Sequence, residues 1–343
     1  MNPKERVLAI LNREPVDRIP VDIWYTTEVL ESLYAHFGAD NEPDLYQKMG
    51  IDKIHWFGAE YPETGGRTLW GTTSRRAYAG SSEYIEIDKP GLTGFETVES
   101  LEDYPYWPDP EKFKYDNMVE RVKLFSQDYV TNGPWVSFYE IYCQMRGLEQ
   151  AMMDLALMPD YVNAVLDRIE HIQTEMLKKY LDRAADYTDM VFVSDDMGSQ
   201  NGLLMSLSMW DNFIKPRMER FCKLIHSYGA RVFYHSDGAC EQLIERLIET
   251  GIDVLNPIQH VCPGMEMAGL KEKYGDRIIF HGGVDTQDAL PFGDRAKVRA
   301  ETLDCLNTLG GGKKGFICCS CHNIQAGTPV DNIIEMIETV KQS

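Results

Sequence analysis

His235 and Asp237 stand two positions apart at the end of the run Arg231-Val232-Phe233-Tyr234. Side-chain direction along a strand has period two, so both can reach one ligand. Together they could serve as a general base with its orienting carboxylate or as two legs of a metal site, with a plain polar strand end as the alternative. A second group, Cys318-Cys319-Ser320-Cys321-His322, places thiols beside an imidazole. That pairing favours zinc, which in catalytic sites takes three protein ligands and keeps one position open. Cys318 and Cys319 lie inside an apolar run and read as core, whereas Cys321, beyond it and next to His322, reads as a ligand. Cys143, Cys222, Cys240, Cys262 and Cys305 are scattered and read as structural.

The elements that must hold these groups alternate strand and helix. Strands are predicted at Ile19–Tyr25, Lys53–Phe57, part of Tyr129–Tyr142, Met190–Ser194, Arg231–Tyr234, Val254–Ile258, Ile278–His281 and Gly315–Cys319. Helical spacing of apolar residues separates them, as in Met209, Phe213, Met218, Phe221 and Ile225. Gly229, Gly251 and Gly310 mark expected helix ends, and Thr328 with Pro329 an expected helix start. A first helix is read over 3–13. Between residues 61 and 114, short runs such as Thr68-Leu69-Trp70 and Tyr84-Ile85-Glu86-Ile87 alternate with Gly, Ser and Pro. The pattern predicts a (β/α)8 TIM barrel over residues 1–343 as a single domain, with a β-hairpin insertion after the second strand. A doubly wound sheet would want a Gly-x-Gly-x-x-Gly turn after its first strand, and the chain has none there.

Barrel active sites are built at the C-terminal ends of strands. The residues there are Glu140, Ser194-Asp195-Asp196, His235-Ser236-Asp237, Asn256 and Gln259, His281 and Asp285, and Cys321-His322-Asn323. Glu140, Asp196, His235 and Asp237 are the catalytic candidates. Asn256, Gln259, His281, Asp285 and His322 are the candidates for binding substrate. Structural readings stand beside these: Asp195 as a turn cap, Glu140 as a partner of Arg146, Asn256 as a turn former before Pro257, and His281 as a satisfied core histidine.

A net charge of −20 excludes a general affinity for nucleic acid or anionic membranes, since both need a positive field. The first residues lack the apolar segment of a secretory signal, no run has the length of a membrane span, and the cysteines lack a disulfide framework. The chain is expected to be cytoplasmic, and its sequence leaves open whether it forms a homodimer.

Several motifs resemble the uroporphyrinogen decarboxylase superfamily. They are the opening Lys4 to Val21, Arg146-Gly147-Leu148-Glu149, Asp195-Asp196-Met197-Gly198, His235-Ser236-Asp237-Gly238, Leu255-Asn256-Pro257-Ile258-Gln259 and Cys321-His322-Asn323-Ile324-Gln325 with Thr328-Pro329. The resemblance implies a (β/α)8 barrel and either of two chemistries. Its decarboxylase branch carries Met-Arg-Gln-Ala-Gly-Arg after the first strand, where this chain has Asp22-Ile23-Trp24-Tyr25-Thr26-Thr27. Without those arginines a polycarboxylate substrate is poorly served. The methyltransferase branch implies zinc held by a His-x-Cys pair and a later Cys, and a cobalamin carried by a partner corrinoid protein. His235 and Cys321 match two of those places, and Asp237 stands at the third, giving the metal set His235, Asp237 and Cys321. Carboxylate is a harder donor than thiolate and leaves more positive charge on the ion. The resemblance therefore implies transfer of a methyl group from a small methylated substrate, such as a methoxylated aromatic, to cobalt. Transfer from methylcobamide to a thiol, and a non-catalytic barrel that binds a corrinoid protein or a small ligand, are the alternatives.

Overall fold

The computed structural model describes residues 1–79 and 82–343. Its strands are β1 (Ile54–Trp56), β2 (Thr73–Ala79), β3 (Ser82–Lys89), β4 (Val130–Val136), β5 (Met190–Ser194), β6 (Arg231–His235), β7 (Val254–Asn256), β8 (Ile279–Val284) and β9 (Phe316–Ser320). Seven of them form one parallel sheet in the order β1-β4-β5-β6-β7-β8-β9, and β2 and β3 pair as a separate antiparallel hairpin. Helices alternate with the parallel strands, so the curled sheet has the TIM-barrel arrangement expected, with the hairpin inserted after the second barrel position. The turn at Thr68-Leu69-Trp70 is not a strand of that hairpin, which begins at Thr73.

The first expected strand, Ile19–Tyr25, is present as a segment rather than a regular strand. It lies beside β9 through isolated bridges, Val21 to Cys318 and Tyr25 to Ile324. On its other flank side chains replace part of the ladder. The Asp22 carboxylate accepts the Ile54 N–H at 3.3 Å, and the Asp52 carboxylate accepts the Val21 N–H at 2.9 Å. Asp52 is itself held by Arg6 and Arg18. The segment therefore closes the barrel through carboxylates where main-chain pairing is incomplete. At this seam lies a cavity of about 230 Å³ whose walls include Trp24, Tyr25, His55 and Trp56.

Strand alternation divides the apolar residues into two clusters. Ile54, Val130, Met190, Phe192, Phe233, Val254, Ile279, Ile317 and Cys319 fill the barrel interior, while Val191, Val193, Val232, Tyr234 and Cys318 pack outward among the helices. The helix Pro3–Leu11 contributes Val7, Ile10 and Leu11 to the interior cluster, so it plugs the barrel. Asn2 starts that helix with a capping box in which Asn2 and Glu5 satisfy each other's backbone N–H. The helical stretch read through Met209 to Ile225 is two helices, Leu207–Phe213 and Lys215–Ser227. Pro216 lacks the N–H that would continue the first helix into the second. Gly229 and Gly251 end helices with positive φ as expected, whereas Gly310 has φ −87° and no left-handed role. The last helix, Val330–Lys341, starts one residue later than expected, with Pro329 rather than Thr328 at its cap.

Candidate active site

His235 closes β6, and its register partners are Ser194 on β5 and Asn256 on β7. Its ring is buried, with Trp24 stacked on it at 5.6 Å and Phe192 tilted against it at 5.9 Å. Nδ1 lies 2.5 Å from Asn256 Oδ1. Nε2 faces two carboxylates, Asp196 Oδ1 at 3.7 Å and Asp237 Oδ1 at 3.9 Å. The other oxygen of Asp237 lies 3.6 Å from Nε2 of the half-exposed His322. Ligating atoms of His235, Asp237 and His322 all lie within 4.8 Å of one another.

The backbone sets this geometry. After β6 the chain turns at Gly238, with φ +84°, where an added Cβ would meet Ser199 O at 2.5 Å. Gly198 answers from the other side, since a Cβ there would meet Asp237 O at 2.5 Å. Two glycines thus let the loops after β5 and β6 touch, and the Asp237 N–H donates to Asp196 Oδ1 at 3.0 Å. Gln259 supports the same turn by accepting the Gly238 N–H at 2.9 Å.

Glu140 sits in the first turn of the helix Tyr139–Arg146, and its Oε2 accepts from Ser194 Oγ at 2.8 Å. Burial raises its pKa, and the charges of Asp196 and Asp237 raise it further. Asp237 is raised for the same first reason, burial, against the pull of His235 and His322. Burial lowers His322. Burial is thus the leading influence on Glu140, Asp237 and His322 alike.

Below His235 runs a buried polar chain. Asn256 Nδ2 lies 2.8 Å from His281 Nδ1, His281 Nε2 lies 3.2 Å from Asp22 Oδ2, and Lys53 Nζ lies 2.9 Å from Asp22 Oδ1. Asp22 and His281 are fully buried. Burial would raise the Asp22 pKa, but the Lys53 charge and the His281 hydrogen bond outweigh it and bring it down to about 2.

The candidates fall into three groups on these distances. Glu140, Asp196, His235, Asp237 and His322 converge. Asn256 and His281 lie behind His235 and are fully buried. Asp285 and Gln259 are engaged with the backbone of neighbouring turns. Asp285 accepts the N–H groups of Gln287, Asp288 and Ala289, a turn cap, and Gln259 is engaged with Gly238.

Cys321 departs from the expected metal set. Its N–H continues the β9 ladder to Val284 O, which aims its Sγ at Ile258 O, 3.2 Å away, and His322 stands with His235 and Asp237 instead. Asp195 is structural: it accepts the Ser137 hydroxyl and the N–H groups of Phe138 and Glu140, while burial pushes its pKa up to about 7. Arg146 pairs with Asp154, not with Glu140. Sequence reading missed Lys53 and Asp22 as site residues. Asp22 was visible only as a carboxylate in a strand-like run, a signal that its burial now explains.

The sequence profile for uroporphyrinogen decarboxylase (URO-D) matches residues 108–343, more than half of the chain. The chain belongs to the uroporphyrinogen decarboxylase family. Among curated members it is 25% identical over 217 residues to the uroporphyrinogen decarboxylase of Synechocystis sp., a match that covers 62% of this chain and 55% of that protein. It is 23% identical over 192 residues to that of Microcystis aeruginosa, covering 52% of this chain and 51% of that protein. The chain thus spans about half the length of the curated relatives it matches. Among solved structures, a methyltransferase from Methanosarcina mazei superposes with a TM-score of 0.68 at 18% identity, over 100% of this chain and 99% of that one. That likeness shows a shared fold. Among the described residues no helix is long and apolar enough to cross a membrane.

Proposed function

We propose that this family member is a methyltransferase that moves a methyl group from a small methylated substrate, such as a methoxylated aromatic, to the cobalt of a corrinoid protein. The observation that carries the reading is the convergence on His235 Nε2 of the Asp196 and Asp237 carboxylates, with His322 beside them. Carboxylates in these places repel the carboxylates of a porphyrinogen, so they argue against decarboxylation of a polycarboxylate. They suit a cation instead. His235, Asp237 and His322 offer two imidazole nitrogens and an oxygen, a donor set that zinc accepts with a fourth position open. A zinc ion held there would act as a Lewis acid on the oxygen of the substrate's methyl ether.

The chain's own residues do the rest. Trp24 and Phe192 supply an apolar wall beside His235, against which an aromatic ring can pack. Glu140, biased towards its protonated form by burial, supplies a proton to the leaving oxygen. In the transfer the C–O bond breaks and its electron pair stays on oxygen, which takes that proton. The methyl carbon is taken by the electron pair of Co(I), giving methyl-Co(III).

The test is a panel of methyl donors incubated with the zinc-loaded protein and a reduced corrinoid protein, followed by the cobalamin absorption spectrum. Formation of methylcobalamin from a donor supports the reading. Loss of methyl from methylcobalamin to a thiol, with no donor active, would reverse the direction. No turnover either way, with retained corrinoid-protein binding, would leave a binding barrel.

A further inference from the structure

The buried chain behind His235 has only one consistent direction, and Asp22 fixes it. Asp22 receives Lys53 Nζ, Trp24 Nε1 at 3.1 Å and the N–H groups of Ile23 and Ile54. An ionised carboxylate only accepts, so His281 must donate to it from Nε2. Burial lowers the His281 pKa, which keeps that imidazole neutral, and its Nδ1 is then an acceptor. Asn256 must therefore turn its NH₂ towards His281 and its oxygen towards His235. The only hydrogen that can fill the 2.5 Å contact to that oxygen is one on His235 Nδ1.

We infer that Lys53, Asp22, His281 and Asn256 form a one-way positioning relay that holds His235 in the Nδ1–H tautomer, so that its Nε2 lone pair is presented to the site. This is not the tautomer a free imidazole prefers. It is the one that a metal ligand or proton acceptor at Nε2 requires. Asn256 matters because it is an amide: it accepts on one side and donates on the other, so it passes orientation between two imidazoles without contributing charge. The inference deepens the reading of His235 as the central ligand and rests on that reading only for its use, not for its geometry.

The experiment is two-bond ¹H–¹⁵N correlation spectroscopy of metal-free protein labelled with ¹⁵N-histidine, at a pH of about 8 where ordinary imidazoles are neutral. Wild-type protein is expected to show His235 as the Nδ1–H form and His281 as the Nε2–H form. The favoured form should exceed the other by at least about tenfold, a ratio within reach of one buried hydrogen bond. Asn256→Leu, and independently His281→Phe, should shift His235 towards Nε2–H. If Asn256→Leu does not fold, the wild-type spectrum and His281→Phe carry the test. A wild-type His235 protonated on Nε2, or a His235 tautomer unmoved in a folded variant, overturns the inference. The readout is a property of the ring itself, so it stands or fails separately from any test of methyl transfer.

Discussion

The backbone N–H of Asp237 donates to the carboxylate of Asp196 across 3.0 Å, tying the loop after β6 to the loop after β5. That bond links two carboxylates that both stand near one nitrogen, His235 Nε2. Removing the Asp196 acceptor in Asp196→Ala should loosen Asp237 and lower zinc affinity by about 10- to 100-fold, the usual range for a supporting partner of a metal ligand. Asp196→Asn keeps an acceptor for the N–H and should lose less. Calorimetric zinc titration of both variants checks this, and equal losses would show that the charge, not the bond, matters.

The replacement of Cys321 by His322 in the converging set has a direct test. Asp237→Ala and His322→Ala should each weaken zinc binding by at least about 100-fold. Cys321→Ser should leave it unchanged, because its Sγ is turned to Ile258 O. A Cys321→Ser protein without zinc, beside a His322→Ala protein that retains it, would restore the thiolate set.

Glu140 is the proposed proton donor. Glu140→Gln should lower kcat by roughly 10²- to 10⁴-fold while leaving zinc affinity intact. A donor must be protonated, and burial raises the Glu140 pKa, so activity should fall as pH rises through that raised value. The limb should vanish in Glu140→Gln, as read from initial rates of methylcobalamin formation.

Asp22 makes stability sensitive to acid. Its pKa is lowered to about 2 in the folded chain, against about 3.9 unfolded. The lowered value stabilises the fold above the unfolded pKa, and that contribution, about 2–3 kcal/mol, is lost as pH falls from about 5 to below 2. Urea denaturation across that range should show the loss. Asp22→Asn should abolish this component and, by leaving Lys53 buried without its counter-charge, should destabilise the fold at neutral pH by about 3–5 kcal/mol.

Gly238→Ala should cost roughly 2–4 kcal/mol, combining a left-handed backbone with a Cβ pressed on the Ser199 carbonyl. Relief of that clash must separate the β5 and β6 loops, so zinc affinity should fall with the melting temperature. A variant with wild-type stability would show that the loops yield easily.

Much of the barrel was legible because buried parallel strands are short runs of Val, Ile and Phe that stop abruptly at polar residues, as in Val232-Phe233-Tyr234-His235. The same rule brought Glu140, Asp196, His235 and Asp237 forward. What it could not show is which polar residue at a strand end faces a ligand. Asp285 and Asp237 look alike in sequence, yet one caps its own turn and the other reaches across to two imidazoles. Cys321 and His322 are adjacent, so a small change in where β9 stops decides which of them turns to the site. Asp22 and Lys53 meet across 31 positions of chain, and no local pattern announces such a pair. The first barrel position was harder still, because side chains complete its ladder and a run of β-type residues cannot reveal that.

The helix Pro3–Leu11 sets an order of events during folding. It precedes every strand of the barrel in the chain, yet its seat is made of Ile54, Val130, Met190, Val254, Ile279 and Ile317, contributed by strands spread along the sequence. Its neighbour, the segment around Val21, finds its bridge only at Cys318. The helix must therefore wait, with its apolar face unburied, until β9 arrives. Closure of this barrel is a late, long-range event, and chaperone capture during synthesis should act on that waiting helix.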